Sequence, residues 1–302
     1  MNRRSILVIT IVAILTIATL AGAMAFLQEI GAKDDRGKNV HFDKPPTRIV
    51  SLGSSFTEII VELDEGDRIV GVDYSSTPDK IRGVPKNVID LGKPSSLSME
   101  TLLNLRPDCV IIWNFGMYEN LITDMEKRGL KVVAYYPKTI DETFVLMERI
   151  GDILGIDASP MVNSLTDRMN VVLEKTANIP DNKRTRIYLE LASMEGQTVG
   201  GGTLSNQLIE LAGGKNIFAD GTGNFMANDE SIKDRDPQVI VVENSSKFET
   251  AHFYDKYGIT EAAKDKRIHR IAAGTLTTSP RLVEALEDLA CWLHPDLFEE
   301  PI

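Results

Sequence analysis

Two rhythms alternate along the chain. Short apolar runs rich in Val and Ile are separated by stretches in which apolar residues return every three or four positions. The runs are "RIVSLG" (48–53), "RIVGVD" (68–73), "DCVIIW" (108–113), "KVVAYY" (131–136), "RIYLELA" (186–192), "QVIVVE" (238–243) and "IHRIAA" (268–273). Apolar on consecutive positions, they predict strands buried on both faces, as in parallel sheets. Between them, "SSFTEIIVELDEG" (54–66), "MYENLITDMEKRG" (117–129), "GGGTLSNQLIELAGG" (200–214) and "SPRLVEALEDLACWLHP" (279–295) carry helical spacing. Strands and helices in alternation predict an α/β fold with mainly parallel sheets.

The alternation stops once, over "TIDETFVLMERIGDILGI" and "DASPMVNSLTDRMNVVLEKTANI" (139–179), and then restarts. Pro160 fits an early helical turn, and Asp157 or Ser159 fits the cap. The chain therefore reads as two Rossmann-like lobes, 46–155 and 180–302, joined by one long connecting α-helix within 156–179. A polar linker (28–45) precedes them.

The two halves share a frame. Each opens with the same triplet, Thr47-Arg48-Ile49 and Thr185-Arg186-Ile187. Each later has a capping residue (Ser98, Asn228), a Glu two places on (Glu100, Glu230), a Pro (Pro107, Pro237) and a buried strand. A Glu in the first helical turn complements the helix dipole and needs no partner for that. Its recurrence is what draws notice. The shared Pro is expected to end each helix.

Net charge is −11, which argues against a nucleic-acid surface. The two cysteines, Cys109 and Cys291, read as buried free thiols, and the four histidines are scattered, so no metal site is expected. "VGGGTLSNQL" lacks the Lys of a P-loop and the spacing of a dinucleotide site. No nucleophile elbow or triad motif appears, so no catalytic residues are assigned and an enzyme is not the main reading. At the start, Arg3 and Arg4 precede the uncharged run Ile6–Leu27, followed by Glu29. Its length, about 33 Å as a helix, suffices to cross a bilayer, and "AMA" (23–25) fits a signal-peptidase site. Residues 1–27 are a signal peptide or an N-terminal membrane anchor. Either places the rest on the extracytoplasmic side, in the periplasm or at the outer face of the membrane. No Cys follows the run, which excludes a lipid-anchored N-terminus.

Ligands of parallel sheets sit beyond the carboxyl ends of the strands. In the first lobe the residues there are Ser54 and Ser55 (also expected to cap their helix), Tyr74, Trp113 with Phe115, and Tyr136. In the second lobe they are Ser193, Met194, Glu195 and Gln197, then Asn244, and Thr277 with Arg281. The aromatic residues can stack on a flat ligand, and Arg281 can pair with a carboxylate or phosphate. Glu190, inside its strand, is expected to pack or pair structurally.

Several stretches resemble the long-helix (class III) substrate-binding proteins of ABC importers of the iron–siderophore and cobalamin type. They are "PPTRIVSLGSSFTEIIVELDEGDRIVGVDYSS", "LSMETLLNLRPDCVIIW", "NQLIELAGGKNIFAD", "ESIKDRDPQVIVV" and "TSPRLVEALEDLACWLHP", in that order across 46–298. The resemblance implies a monomeric binding protein with no intrinsic cofactor. It would hold a metal chelate (iron–siderophore, haem or cobalamin) between its lobes and deliver it to a membrane permease and, through that, to an ATPase. By position it also implies that Glu100 and Glu230 dock onto the permease. A small oxyanion or another cofactor precursor is the alternative cargo, and an exported α/β enzyme the alternative class.

Overall fold

The computed structural model describes residues 30–298. The expected signal or anchor over 1–27 lies outside the described residues. The segment expected to be a linker is structured over most of its length. Strands β1 (Ile30–Lys33) and β2 (Asn39–Phe42) pair antiparallel, and Ala32, Val40 and Phe42 enter the core. Asp34 ties this hairpin down, accepting the Ala134 N–H at 3.3 Å and pairing with Arg36 at 2.6 Å. Alternating apolar residues buried on one face made this segment a strand pair, a signal hidden by its many charges.

The first lobe is a parallel sheet of order β5-β4-β3-β6-β7. Its strands are β3 (Ile49–Leu52), β4 (Ile69–Val72), β5 (Ile89–Asp90), β6 (Cys109–Trp113) and β7 (Val132–Tyr135). Strand β6 shows why the runs are continuously apolar. Cys109 and Ile111 enter one buried cluster while Val110 and Ile112 enter another on the opposite face. Helices α1 (Ser54–Glu62), α2 (Met99–Asn104), α3 (Glu119–Lys127) and α4 (Ile140–Leu154) complete this lobe.

The second lobe centres on β8 (Thr185–Glu190), β12 (Val239–Glu243) and β13 (Ile268–Ile271), all parallel. Strand β10 (Gly214–Asn216) joins β8 in parallel, while β9 (Gln197–Val199) runs antiparallel to β8 and to β11 (Asn224–Met226). Its helices are α6 (Leu204–Leu211), α7 (Asp229–Arg235), α8 (Thr250–Lys256), α9 (Glu261–Lys264) and α10 (Leu282–Leu293).

Between the lobes runs α5 (Ser159–Thr176), 18 residues long, with Pro160 in its first turn and the Asp157 carboxylate accepting the Ser159 N–H at 3.0 Å. It is fastened to the second lobe. Arg168 makes a two-pronged ion pair with buried Glu287 of α10, at 2.9 and 2.5 Å. Thr176 donates to the Leu211 carbonyl at 2.6 Å. At its other end Gly155 adopts φ +71° and Gly151 packs so tightly that a Cβ would meet that of Ala158 at 2.8 Å.

The repeated frame survives in detail. Ser98 Oγ accepts the Thr101 N–H and Asn228 Oδ1 accepts the Glu230 N–H, so both capping residues cap. The helices, however, stop before Pro107 and Pro237, because Arg106 and Asp236 turn left-handed at φ +48° and +43°. Such a conformation is unfavourable for a residue with a Cβ, and the same residue type of the opening triplet holds it in each lobe. Arg48 donates to the carbonyls of Leu105 and Arg106 (2.6 and 3.3 Å), and Arg186 donates twice to that of Asp236 (2.8 and 3.0 Å). Asp108 accepts the Arg48 N–H, and Gln238 accepts the Arg186 N–H.

Candidate ligand cleft and lobe seam

The exits of β6 and β7 carry an aromatic platform. Trp113 and Phe115 stack in parallel, with centroids 5.4 Å apart and 2° between planes. Phe115 also meets Tyr136 edge-on at 5.1 Å and Tyr118 at 5.8 Å. The Trp113 indole lies on Phe56 of α1, with centroids 4.5 Å apart. Gly53 makes this possible. Its φ is +153°, and a Cβ there would sit 2.4 Å from Trp113 Nε1. Gly53, rather than Ser54 or Ser55, stands at the helix start, and no side chain caps it. Ser54 and Ser55 lie inside α1. Ser55 is fully buried, which takes it off the cleft surface.

Tyr74 follows β4 and is 46% exposed. Its N–H donates to the Gly92 carbonyl at 3.0 Å, and the ammoniums of Lys80 and Lys93 lie over its ring. Below it, burial pushes the Asp73 carboxyl up, against the hydroxyls of Ser75 and Ser76 that hold it at 2.7 Å. Tyr118 is near enough to be influenced by both Asp73 and Tyr74, and its phenol is pushed up chiefly by burial. Two cavities border the platform. One of about 450 Å³ is lined by Tyr136, Asn114, Lys138 and Arg149, and one of about 290 Å³ by Phe115, Asn114 and Arg36.

In the second lobe, Met194 stands 56% exposed at the exit of β8. Glu195 is taken up by its own lobe, with His252 Nε2 at 2.7 Å and Lys256 Nζ at 2.8 Å. Lys256 and then His252 hold its carboxyl below the usual range. Lys256 also reaches Asp229 at 2.9 Å, at the start of α7. Gln197 lies in β9 opposite Met226 and accepts the Ser193 hydroxyl. Asn244 is exposed. Glu190 is buried in β8 under the Tyr188 and Tyr257 hydroxyls (2.9 and 3.3 Å), with burial pushing its carboxyl up.

Helix α1, which follows β3, meets the loop after β13 and the start of α10 across the lobes. Arg281 Nη1 lies 3.6 Å from Glu58 Oε1 of α1 and Arg281 Nε lies 3.3 Å from Glu284. The Thr277 hydroxyl donates to the Gly274 carbonyl within its own turn, at 2.7 Å. Of the residues picked from sequence, then, Phe115 touches both Trp113 and Tyr136. Met194, Glu195 and Gln197 form a second group, Arg281 belongs to the seam, and Ser55 is buried within α1. Phe56, Met117, Tyr118, Met226 and Glu58 were missed. Met117 sits in the same exit loop as Phe115, and Glu58 is flanked by apolar residues on α1, four residues before Glu62.

Glu100 and Glu230 are both exposed in the first turns of α2 and α7. Cys109 is buried in β6, with burial pushing its thiol up, Cys291 is half-buried rather than buried, and no disulfide occurs among the described residues. Also among the described residues, no helix is long and apolar enough to cross a membrane.

Two α/β lobes on one connecting helix, with strand exits meeting at a seam, define a two-lobed binding protein. The chain belongs to the periplasmic binding protein family, whose model matches residues 49–273. It is 29% identical over 275 residues to an uncharacterized ABC transporter substrate-binding lipoprotein of Bacillus subtilis, YvrC, covering 88% of this chain and 86% of that one. A cobalamin-binding protein of Halobacterium salinarum is 29% identical over 210 residues, 67% of this chain and 55% of that protein. Among solved structures, the molybdate-binding protein MolA of Haemophilus influenzae superposes with a TM-score of 0.79 at 20% identity, covering 89% and 92% of the two chains.

Proposed function

We propose that this chain is the extracytoplasmic substrate-binding protein of an ABC importer, with residues 46–155 and 180–302 as its ligand-binding lobes. It captures a metal chelate, an iron–siderophore, haem or cobalamin, between them and hands it to a permease driven by a separate ATPase. The observation that carries the reading is the placement of exposed apolar side chains. Tyr74, Met117 and Tyr136 on one lobe, and Met194 and Met226 on the other, stand at the strand exits, each more than 40% exposed. Large apolar groups held in water at a cleft are suited to covering a flat, largely apolar ligand. The platform of Trp113, Phe115 and Tyr136 supplies the stacking surface. The cobalamin-binding relative supports a corrin-like cargo, and a porphyrin meets the same surface equally well.

Docking through Glu100 and Glu230 is part of this proposal. Its support is that both are exposed, at the same point of a repeated helix–strand unit, one on each lobe.

The chain has two tryptophans, Trp113 and Trp292, and Trp292 is stacked on His269 at 4.8 Å, on α10. With Trp292 replaced by Phe, titration with cyanocobalamin, haemin and ferric catecholates should quench Trp113 emission saturably for at least one of them. Trp113→Ala, followed by calorimetric titration, should weaken that binding about tenfold, the worth of one good aromatic stacking contact. Absence of saturable binding by every one of these chelates would sink the proposal.

A further inference from the structure

The lobes touch through a buried ionic contact that the cleft itself does not require. The Glu58 side chain is only 10% exposed, yet the partner at its Oε1 is a guanidinium of the other lobe, 3.6 Å away. Beside it the buried Ser279 hydroxyl faces the carboxyl, and Ser55 Oγ, buried one turn earlier on α1, has no hydrogen-bond partner. Ser55 and Ser279 are fully buried. Buried polar atoms are normally satisfied, and unsatisfied ones weaken the packing that holds them. A seam built only for strength would be apolar here. Gly274, at φ +81°, brings its backbone against both charged groups.

We infer that Glu58 and Arg281 form a releasable catch between the lobes, one that fixes the angle between them and so the spacing of Glu100 and Glu230. The second half of this statement rests on the docking role proposed above; the first does not. Glu100 belongs to the first lobe and Glu230 to the second. Each is carried by a helix clasped to its own sheet by Arg48 or Arg186. The connecting helix is fastened to the second lobe by Arg168 and Glu287. The distance between the two carboxylates therefore changes chiefly through the lobe angle, and the catch is a polar contact that spans it.

Proton binding supplies a handle on the catch. The groups facing Glu58 are Arg281 and Glu284 at the start of α10 and the Ser279 hydroxyl. From α5, Arg168 faces Glu62, Glu284 and Glu287. Burial pushes the Glu58 carboxyl up, and Ser279 and Arg281 offset this only in part. Parting the lobes would expose Glu58 to water and return it toward its ordinary value. The state with the higher pKa is favoured by acid. Acidification therefore favours the closed seam, and raising the pH through the Glu58 transition loosens it.

The test is a distance measurement. Spin labels at Glu100→Cys and Glu230→Cys, in a Cys291→Ser background, report the lobe angle by pulsed electron resonance. At pH 8 the parent should show a second, shifted distance component that shrinks at pH 5. Glu58→Gln should show a distribution that no longer responds to pH, and Arg281→Gln a broader one. Arg281→Lys, which keeps the charge, should stay near the parent and guards against misfolding of the Gln variant. Identical distributions and pH responses in Glu58→Gln and the parent would overturn the catch. A changed distribution in labelled Glu58→Gln, together with normal stimulation of the permease ATPase by Glu58→Gln that keeps Glu100 and Glu230, would overturn the link to docking and leave the catch standing.

Discussion

Replacing Gly53 by Ala should damage the aromatic platform selectively, and its cost can be worked out in advance. Gly53 sits at φ +153°, a region that residues with a Cβ avoid, at about 1–3 kcal/mol. The added methyl would also lie 2.4 Å from Trp113 Nε1 and 2.9 Å from the Phe56 ring, so the indole must move. Overpacking of this kind costs about 1–3 kcal/mol more. Gly129 is the matched control. Its φ is +85° and nothing lies within 4 Å of its would-be Cβ, so Gly129→Ala pays the backbone term alone, about 1–2 kcal/mol. The two variants should differ by about 2 kcal/mol, or a urea midpoint shift of about 0.7 M at a slope of about 3 kcal/mol/M. With Trp292→Phe as background, the emission maximum of Trp113 should move in Gly53→Ala and stay in place in Gly129→Ala. Equal midpoints together with an unmoved Trp113 emission would refute the argument that Gly53 is required by the indole.

Two further outcomes are expected. Glu100→Ala combined with Glu230→Ala should abolish stimulation of the permease's ATPase while leaving chelate affinity unchanged; loss of affinity in that variant would contradict the docking role. Arg48→Met and Arg186→Met should each cost about 1–2 kcal/mol in chemical denaturation, the worth of charge-assisted bonds to a carbonyl, discounted for partial exposure. The two losses should add, because the clasps lie in different lobes with no shared partner; strong coupling would show that they do not act independently.

The parts of the fold visible in sequence were those written in continuous apolar runs. Strands β3, β4, β6, β7, β8, β12 and β13 each bury both faces, and that leaves a dense local signature. The short edge strands β5 and β11 bury little, and β9, though internal, is only three residues long, so all three pass for loops. The hairpin β1–β2 was lost among charges because only alternate residues face the core. At the site, Trp113, Phe115 and Tyr136 were legible because each follows a strand directly. Glu58 was not, because a Glu on a helix reads as a solvated charge until the other lobe is brought against it. Arg281 was noticed, but for a ligand, whereas its guanidinium already has Glu58, Glu284 and the Ala273 carbonyl within 3.6 Å. The prolines of the repeated frame were credited with ending the helices; the left-handed residues before them, held by Arg48 and Arg186, do so, and long-range clasps of that kind leave no local trace.

The connecting helix also has a mechanical meaning. Bound along its length to the second lobe and joined to α4 through the tight turn after Leu154, its 18 residues form an arm of about 27 Å. A tilt of only about 5° at that turn sweeps the far end through about 2.4 Å, by simple geometry on that length. Adjustments too slight to disturb the packing of either lobe are thus magnified into displacements comparable to a hydrogen bond's length. The spacing between the lobes can therefore change while each half keeps its shape.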